Sequence, residues 1–341
     1  MQLLTTLYVA DHRARVSSTG AALIVTSGDG RKSKVPLNAL EAVVLLGHGQ
    51  LTTDALAACV ARRVRVVALT RTGSVRFVVG GATGGSVHLR LAQFRASGDA
   101  DRVLAISRAL VAGKLQNSRR LLQQWIGSAT GLERAHLTGI ADHLRERLAR
   151  LPAARDPDHV RGIEGDAARL YFQGLGHHLD AAGVGLPFLS RTRRPPRDPV
   201  NALLSFAYTL LVGRMCGAVE SVGLDPQVGF LHGLRPGRPA LALDLIEELR
   251  PAYADRLVMR LLTRREMTAE DFAMVGGACY LSDLGRSRFI DSFESFMGED
   301  VQHPLLRRTM PRQLVTGVQA TLMARHLRGD IANYPPYLSV S

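Results

Sequence analysis

Apolar positions change their period near residue 90. Before that point, "LLTTLYVA", "AALIVTS", "AVVLLG", "VRVVAL" and "SVRFVVG" are short β-branched runs separated by the turn sequences "SGDGRK" and "RTGS", the pattern of strands. One helix interrupts them, "TTDALAACVARR", with a threonine placed to cap it and apolar residues at helical spacing. The glycine cluster "GGATGG", Gly80 to Gly85, ends this regime. From "LRLAQFRAS" onward the spacing is helical, and "ADRVLAISRALVAGKLQNSRRLLQQWI" reads as one long amphipathic helix. The pattern predicts an α+β chain: a small β-rich N-terminal domain over residues 1–90, then a larger all-α C-terminal domain over 91–341. A single mixed α/β domain would need strands alternating with helices throughout, which the sequence lacks. Two proline-rich charged stretches, Leu151 to His159 and Arg191 to Pro199, are predicted surface loops, with Asp198-Pro199 opening the next helix.

Composition adds charge to this picture. The chain has 341 residues, enough for about two domains, and its 46% hydrophobic and 21% charged residues are those of a globular protein. Lys and Arg together number 43 against 30 acids, a formal net charge of +13, and only Lys32, Lys34 and Lys114 are lysines. Residues 1–95 hold 12 bases and 4 acids, so the excess is densest at the N-terminus. Arginine's planar fork suits phosphate, which points to a polyanion, and a DNA contact by the first domain through Arg62, Arg63 and Arg65 is expected. No stretch reads as the ~18 apolar residues of a spanning helix, and the N-terminus lacks a signal peptide's pattern, so a cytoplasmic protein with no membrane partner is expected. Cys59, Cys216 and Cys279 have no spacing that suggests a disulfide framework or a zinc knuckle.

Three segments carry candidate chemistry. In "GIEGDAARLYFQGL", Glu164, Ala168, Tyr171 and Leu175 share one helical stripe, so a carboxylate sits in an apolar face and needs a cation, a metal or a proton. An ion pair to one of the many arginines is the simplest partner. In "VGFLHGLRPGRPALALDLIEELRP", His232 lies in a glycine-flanked loop before a helix that starts near Pro239. Leu241, Ala242, Leu245, Ile246 and Leu249 form its apolar face; Asp244, Glu247 and Glu248 gather opposite, as a solvated acidic face or as ligands to a cation. An imidazole with several carboxylates suits Mn²⁺ or Mg²⁺ better than zinc. In "RTRRPPRDPVNALLSFAYTLL", Arg191, Arg193, Arg194 and Arg197 crowd a loop stiffened by Pro195-Pro196.

These segments, with "GLDPQVGFLHGLRPGRPALALDLIEELRP" and the tail "HPLLRRTMPRQLVTGVQATLMARHLRGDIANYPPY", resemble the CRISPR-associated integrase/endonuclease family Cas1 over essentially the whole chain. "VPLNALEAVVLLG" and "LRLAQFRASGD" are similar to that family too, and the tail is most like versions from type I systems. The resemblance implies a β-rich domain that forms a homodimer and a helical domain that holds a divalent metal, Mn²⁺ or Mg²⁺, on Glu164, His232 and Glu247. Asp244 is a weaker ligand candidate, and it is the family's spacing, not the helical wheel, that selects Glu247 over Glu248. The resemblance also implies double-stranded DNA as substrate and a small second CRISPR-associated protein as partner. The activity implied is insertion of foreign DNA fragments as spacers into a CRISPR array by transesterification at a repeat edge, with hydrolysis when water attacks. Arg191, Arg193, Arg194 and Arg197 would steer the strand. Ala240 stands where many members carry serine, a change expected to touch packing only. Two rivals make different demands: a tyrosine-recombinase-like enzyme would use Tyr171 or Tyr208 as nucleophile, and a silent scaffold would need neither metal nor nucleophile.

Overall fold

The computed structural model describes residues 5–340 apart from 10, 12, 71–74, 81–86 and 194. The "RTGS" turn, nearly all of the glycine cluster and Arg194 therefore lie outside the described residues.

The chain divides into two compact units, Met1–Gly84 with Leu281–Ile290, and Gly85–Tyr280 with Asp291–Ser341. In the first, the predicted runs form β1 (Thr5–Val9), β3 (Ala22–Thr26), β5 (Leu40–Leu46), β7 (Arg65–Leu69) and β8 (Val75–Val79). Three further strands, β2 (Arg15–Thr19), β4 (Lys32–Pro36) and β6 (Gln50–Leu51), escape the hydrophobic pattern; β4, for one, is "KSKVP" and mostly solvent-facing. Two four-stranded sheets result, in the orders β1-β5-β7-β8 and β4-β3-β2-β6. β1, β5 and β7 run parallel and β8 antiparallel to them. Between the sheets' chain segments, α1 (Thr53–Ala61) starts where Thr52 Oγ1 accepts from the Ala55 amide at 3.2 Å. Val16, Leu23, Val43 and Val66 are fully covered in one core that also takes Ala55 and Cys59 of α1. Arg62 and Arg63 lie exposed in the turn after α1, but Arg65 is buried in β7. That removes Arg65 from the expected DNA-contacting set, because a central strand between β5 and β8 holds it inside.

The second unit is helical: α2 (Val87–Ser97), α3 (Ala100–Ser128), α4 (Gly131–Arg150), α5 (Pro157–Ala181), α6 (Pro199–Ser221), α7 (Ala240–Ile246), α8 (Arg256–Thr263), α9 (Asp283–Gly298, begun in the first unit) and α10 (Arg312–Arg328). Two small hairpins, β9 (Phe272–Val275) with β10 (Ala278–Leu281) and β11 (Asp300–His303) with β12 (Arg308–Pro311), interrupt what the pattern reads as all helix. Aspartate followed by proline starts both α5 and α6: Asp156 accepts from the His159 amide at 2.7 Å and Asp198 from the Asn201 amide at 2.8 Å. The carboxylate satisfies a free N–H of the first turn while proline has none to satisfy. α6 corrects one expectation, since its length and composition would suffice to cross a membrane. Its buried residues run around the helix, from Val200 and Leu203 to Leu211, Met215 and Val219, and it packs against α7, α8 and α10 as a core helix.

The C-terminal tail is fastened to the middle of this unit. Asn117 of α3 donates to the backbone oxygens of Glu248 (2.7 Å) and Tyr337 (2.8 Å) and accepts from the Ser339 amide (2.9 Å). Glu248 Oε1 accepts from Gln319 Nε2 and Tyr334 Oη, both at 2.7 Å. Gly113 permits this closeness, since a methyl there would stand 2.7 Å from Pro336 Cβ and 3.1 Å from Glu248 Cβ. Burial drives the Glu248 carboxyl up to about 8, against the two side-chain hydrogen bonds that favour the anion.

A raised acid pKa in the folded state stabilises fully below the unfolded value and loses that contribution as pH climbs through the folded value. Wild-type stability is thus expected to fall between about pH 4.5 and 8 from this group. Glu248→Gln should match wild type near pH 5 and exceed it by on the order of 2 kcal/mol at pH 8.5 in urea unfolding. A difference independent of pH would contradict the assignment.

Candidate functional site

Glu164 lies on α5, on the stripe the sequence assigns to it, and its side chain is one-fifth exposed. Its partner is a lysine: Lys114 Nζ of α3 donates to Glu164 Oε1. The same ammonium lies 2.6 Å from Glu247 Oε2, so it bridges two carboxylates brought from different helices. Glu247 follows directly on α7 with helical φ and ψ, and its other oxygen, Oε1, is 3.1 Å from Arg250 Nη2 and 3.7 Å from His232 Nε2.

The three acids of this helix were expected on one solvated or ion-binding face. All three are buried, and they point to three different places. Glu248 goes to the tail. Asp244 goes to the loop before the helix: Oδ2 accepts from the amides of Phe230 (2.5 Å) and Leu231 (3.0 Å), and Oδ1 from the amide of His232 (2.9 Å). Oδ1 also lies 2.6 Å from His232 Nδ1. With both oxygens committed, Asp244 braces the imidazole and is not itself available as a ligand. Its bond to Nδ1 fixes the ring so that Nε2 faces Glu247. Of the acidic trio, Glu247 is the one that meets Lys114.

The loop is held from three sides. Arg161 of α5 donates to the Leu231 carbonyl at 2.6 Å. Gln93 of α2 donates to the carbonyls of Asp225 and Val228, each at 2.8 Å, and accepts from the Asp225 amide. Gly229 lets the loop lie against α7, because a methyl there would come within 2.6 Å of Asp244 Oδ2 and 2.9 Å of Ala240 Cβ. Ala240 is fully buried at this contact, in keeping with a role in packing alone.

Charge is balanced by close cations. Burial pushes Glu247 up, but Arg250, Lys114 and His232 outweigh it and hold the carboxyl at about 2. Burial likewise pulls the Lys114 ammonium down, and Glu164 and Glu247 more than reverse that. Arg250 stacks 4.6 Å above the Tyr208 ring. It begins a π-helical stretch, Arg250–Asp255, whose second residue is Pro251. Proline offers no N–H to the carbonyl one turn back, and the wider turn absorbs that loss.

The arginine loop divides. Arg191 is turned inward, donating to Asn201 Oδ1 (2.8 Å), Ser205 Oγ (3.0 Å) and the Thr192 carbonyl, and lying 5.4 Å from the Tyr208 ring centroid. It shapes the loop and is not presented to a strand. Arg193 and Arg197 are exposed, and Arg193 shares the wall of a small cavity with Lys114, Tyr208 and Arg250. Tyr171 and Tyr208 both donate to Asp255, at 2.9 and 2.6 Å, and burial followed by the Asp255 charge raises both phenols well above their ordinary value. Buried hydroxyls so engaged are poorly placed to act as nucleophiles, which counts against the recombinase-like reading.

Among the described residues, no group of three His, Cys, Asp or Glu side chains is arranged to hold a metal ion as it stands. The donor chemistry nevertheless fits a hard divalent cation: two carboxylates, an imidazole nitrogen with its other nitrogen braced by Asp244, and a cation already seated between the carboxylates. Lys114 and Arg250 were missed in the sequence. Lys114 was detectable, for it lies among Leu110, Val111 and Leu115 on the buried face of α3 and poses the same question as Glu164.

Residues 7–295 match the family model described as CRISPR associated protein Cas1. A "CRISPR-associated endonuclease Cas1 2" from Rhodospirillum rubrum is 40% identical over 98% of each chain, and a "CRISPR-associated endonuclease Cas1 1" from Moorella thermoacetica is 38% identical over 98% of each. Among solved structures, a CAS1 protein from Thermotoga maritima superposes with a TM-score of 0.81 at 22% identity, covering 96% of this chain and 97% of that one. A Cas6-RT-Cas1–Cas2 complex gives 0.83 at 22% identity, over 100% of this chain and 37% of that one. A casposase bound to integration product gives 0.82 at 21% identity, over 98% and 93%. The fold is shared with these structures, and by sequence the chain belongs to the CRISPR associated protein Cas1 family.

Proposed function

We propose that this chain is a metal-dependent DNA endonuclease and integrase of CRISPR adaptation, inserting DNA fragments as spacers by transesterification at the edge of a repeat. The observation that carries this reading is that Glu164 and Glu247, from separate helical segments, close on one buried cation, Lys114, while His232 Nε2 stands 3.7 Å from the other oxygen of Glu247. The relatives named as Cas1 endonucleases and the fold shared with a casposase bound to integration product support it.

Glu164, Glu247 and His232 would hold Mn²⁺ or Mg²⁺, which supplies neutralising charge to the attacked phosphate and the departing oxygen. The chain's own residues do the positioning. Asp244 keeps Nδ1 of His232 occupied and Nε2 directed inward. Arg250 holds one oxygen of Glu247 and keeps it anionic. Arg193, exposed and lining the cavity, meets the phosphate backbone, and Arg197 extends that track. A 3′-hydroxyl as nucleophile gives joining, and water gives cleavage.

We further propose double-stranded DNA as substrate, action in the cytoplasm, and homodimerisation through the β-rich unit together with a small second CRISPR-associated protein. The resemblance of the first 90 residues to the family's dimerisation domain and the fold shared with a Cas1–Cas2 complex support the partners. The likeness of the tail to type I versions supports placement in such a system.

Glu164→Ala, His232→Ala and Glu247→Ala should each keep DNA affinity and lose strand transfer into a repeat-bearing plasmid by about 10²-fold or more. Retention of transfer in all three would leave the scaffold reading standing. Asp244→Asn should cost about 10- to 100-fold in transfer, since an amide nitrogen cannot accept from the three amides and Nδ1 that now converge on the carboxylate. Replacing Arg62 and Arg63 together by Glu should weaken DNA binding and reduce the slope of log K against log salt by about 0.9 for each phosphate the protein no longer neutralises. An unchanged slope in a salt titration would exclude that surface.

A further inference from the structure

Lys114 raises a question of occupancy. Its ammonium contacts Glu164 and lies 2.6 Å from Glu247 Oε2, with its side chain only 11% exposed. A divalent ion held by these carboxylates would need the same oxygens, and two positive centres cannot both close on them without strong repulsion in a buried setting. One of the two must move. Arg250 is pinned, stacked on Tyr208 while it contacts Glu247 Oε1. Lys114 carries its charge on a flexible four-carbon stem. The small cavity beside it is lined by Ser118, whose hydroxyl oxygen can accept from a displaced ammonium.

Resting on the divalent-ion reading above, we infer that Lys114 is the resident counter-cation of the Glu164–Glu247 pair, exchanged for the divalent ion when that binds. Lys114 thereby stabilises the metal-free protein and sets the metal affinity of the site. It is a positioning residue whose effect is read in binding, separately from catalysis.

The test is calorimetric titration of Mn²⁺ into the full-length wild-type chain, Lys114→Met and Glu247→Gln, with thermal melts in EDTA. Lys114→Met should bind Mn²⁺ about tenfold or more tightly than wild type, melt lower in EDTA and recover its stability when Mn²⁺ is added. Unchanged or weaker Mn²⁺ binding by Lys114→Met, with Glu247→Gln abolishing wild-type binding, would overturn the lysine's role and leave the metal reading intact. Wild-type protein that binds no Mn²⁺ through Glu247 would overturn both. Lys114→Gln, with a polar tip and no charge, carries the same expectation where Lys114→Met fails to fold. In wild-type protein labelled with ¹³Cε-lysine, Mg²⁺ should move the Lys114 signal and leave the exposed Lys32 and Lys34 in place. A Lys114 signal that stays put overturns the exchange.

Discussion

A carboxylate stripped of water must find a cation or a proton, and the helical unit is arranged around that demand. Glu247, Glu248, Asp244 and Asp255 are all buried, and each is answered differently. Glu247 is surrounded by Lys114, Arg250 and His232 and stays ionised. Asp244 is met by three amides and an imidazole. Glu248, hydrogen-bonded to Gln319 and Tyr334, is pushed by burial toward the neutral acid, and burial moves Asp255, held by two phenols, the same way to about 6. Lys114 and Arg250 lie in contact with Glu247, and the charges of Arg191 and Arg250 also act on Asp255.

How much of this the sequence discloses depends on whether a signal is local. The strands with β-branched runs, the caps at Thr52 and Asp198, and the long α3 are set by near neighbours and were legible. β4, with Lys32, Ser33 and Lys34 in its first three places, was not, because its pairing with β3 decides it. Glu164 on an apolar stripe announced a buried partner but not its identity. Arginine outnumbers lysine so heavily that an arginine was the natural guess, yet one of three lysines fills the place.

The acidic helix shows the limit most clearly. A wheel places Asp244, Glu247 and Glu248 on one face, whereas the fold buries the helix all round and sends each acid to a separate partner. Likewise Arg191 and Arg65 count as charge in the sequence but lie inward in the structure, so net charge overstates what either unit offers to a polyanion. Family spacing selects Glu247, which is the member of the trio in contact with Lys114 and Arg250.

The π-helical stretch at Arg250–Asp255 has a consequence for how the whole segment is wired. One extra residue in a turn rotates everything downstream by about 100° relative to an unbroken α-helix. Upstream of it the chain presents Glu247 to Lys114 and His232; downstream, Asp255 meets Tyr171 and Tyr208 and α8 turns Leu257, Leu261 and Leu262 into the core. The bulge thus works as a phase shift, letting one continuous stretch of chain obey two different facing rules on either side of a proline.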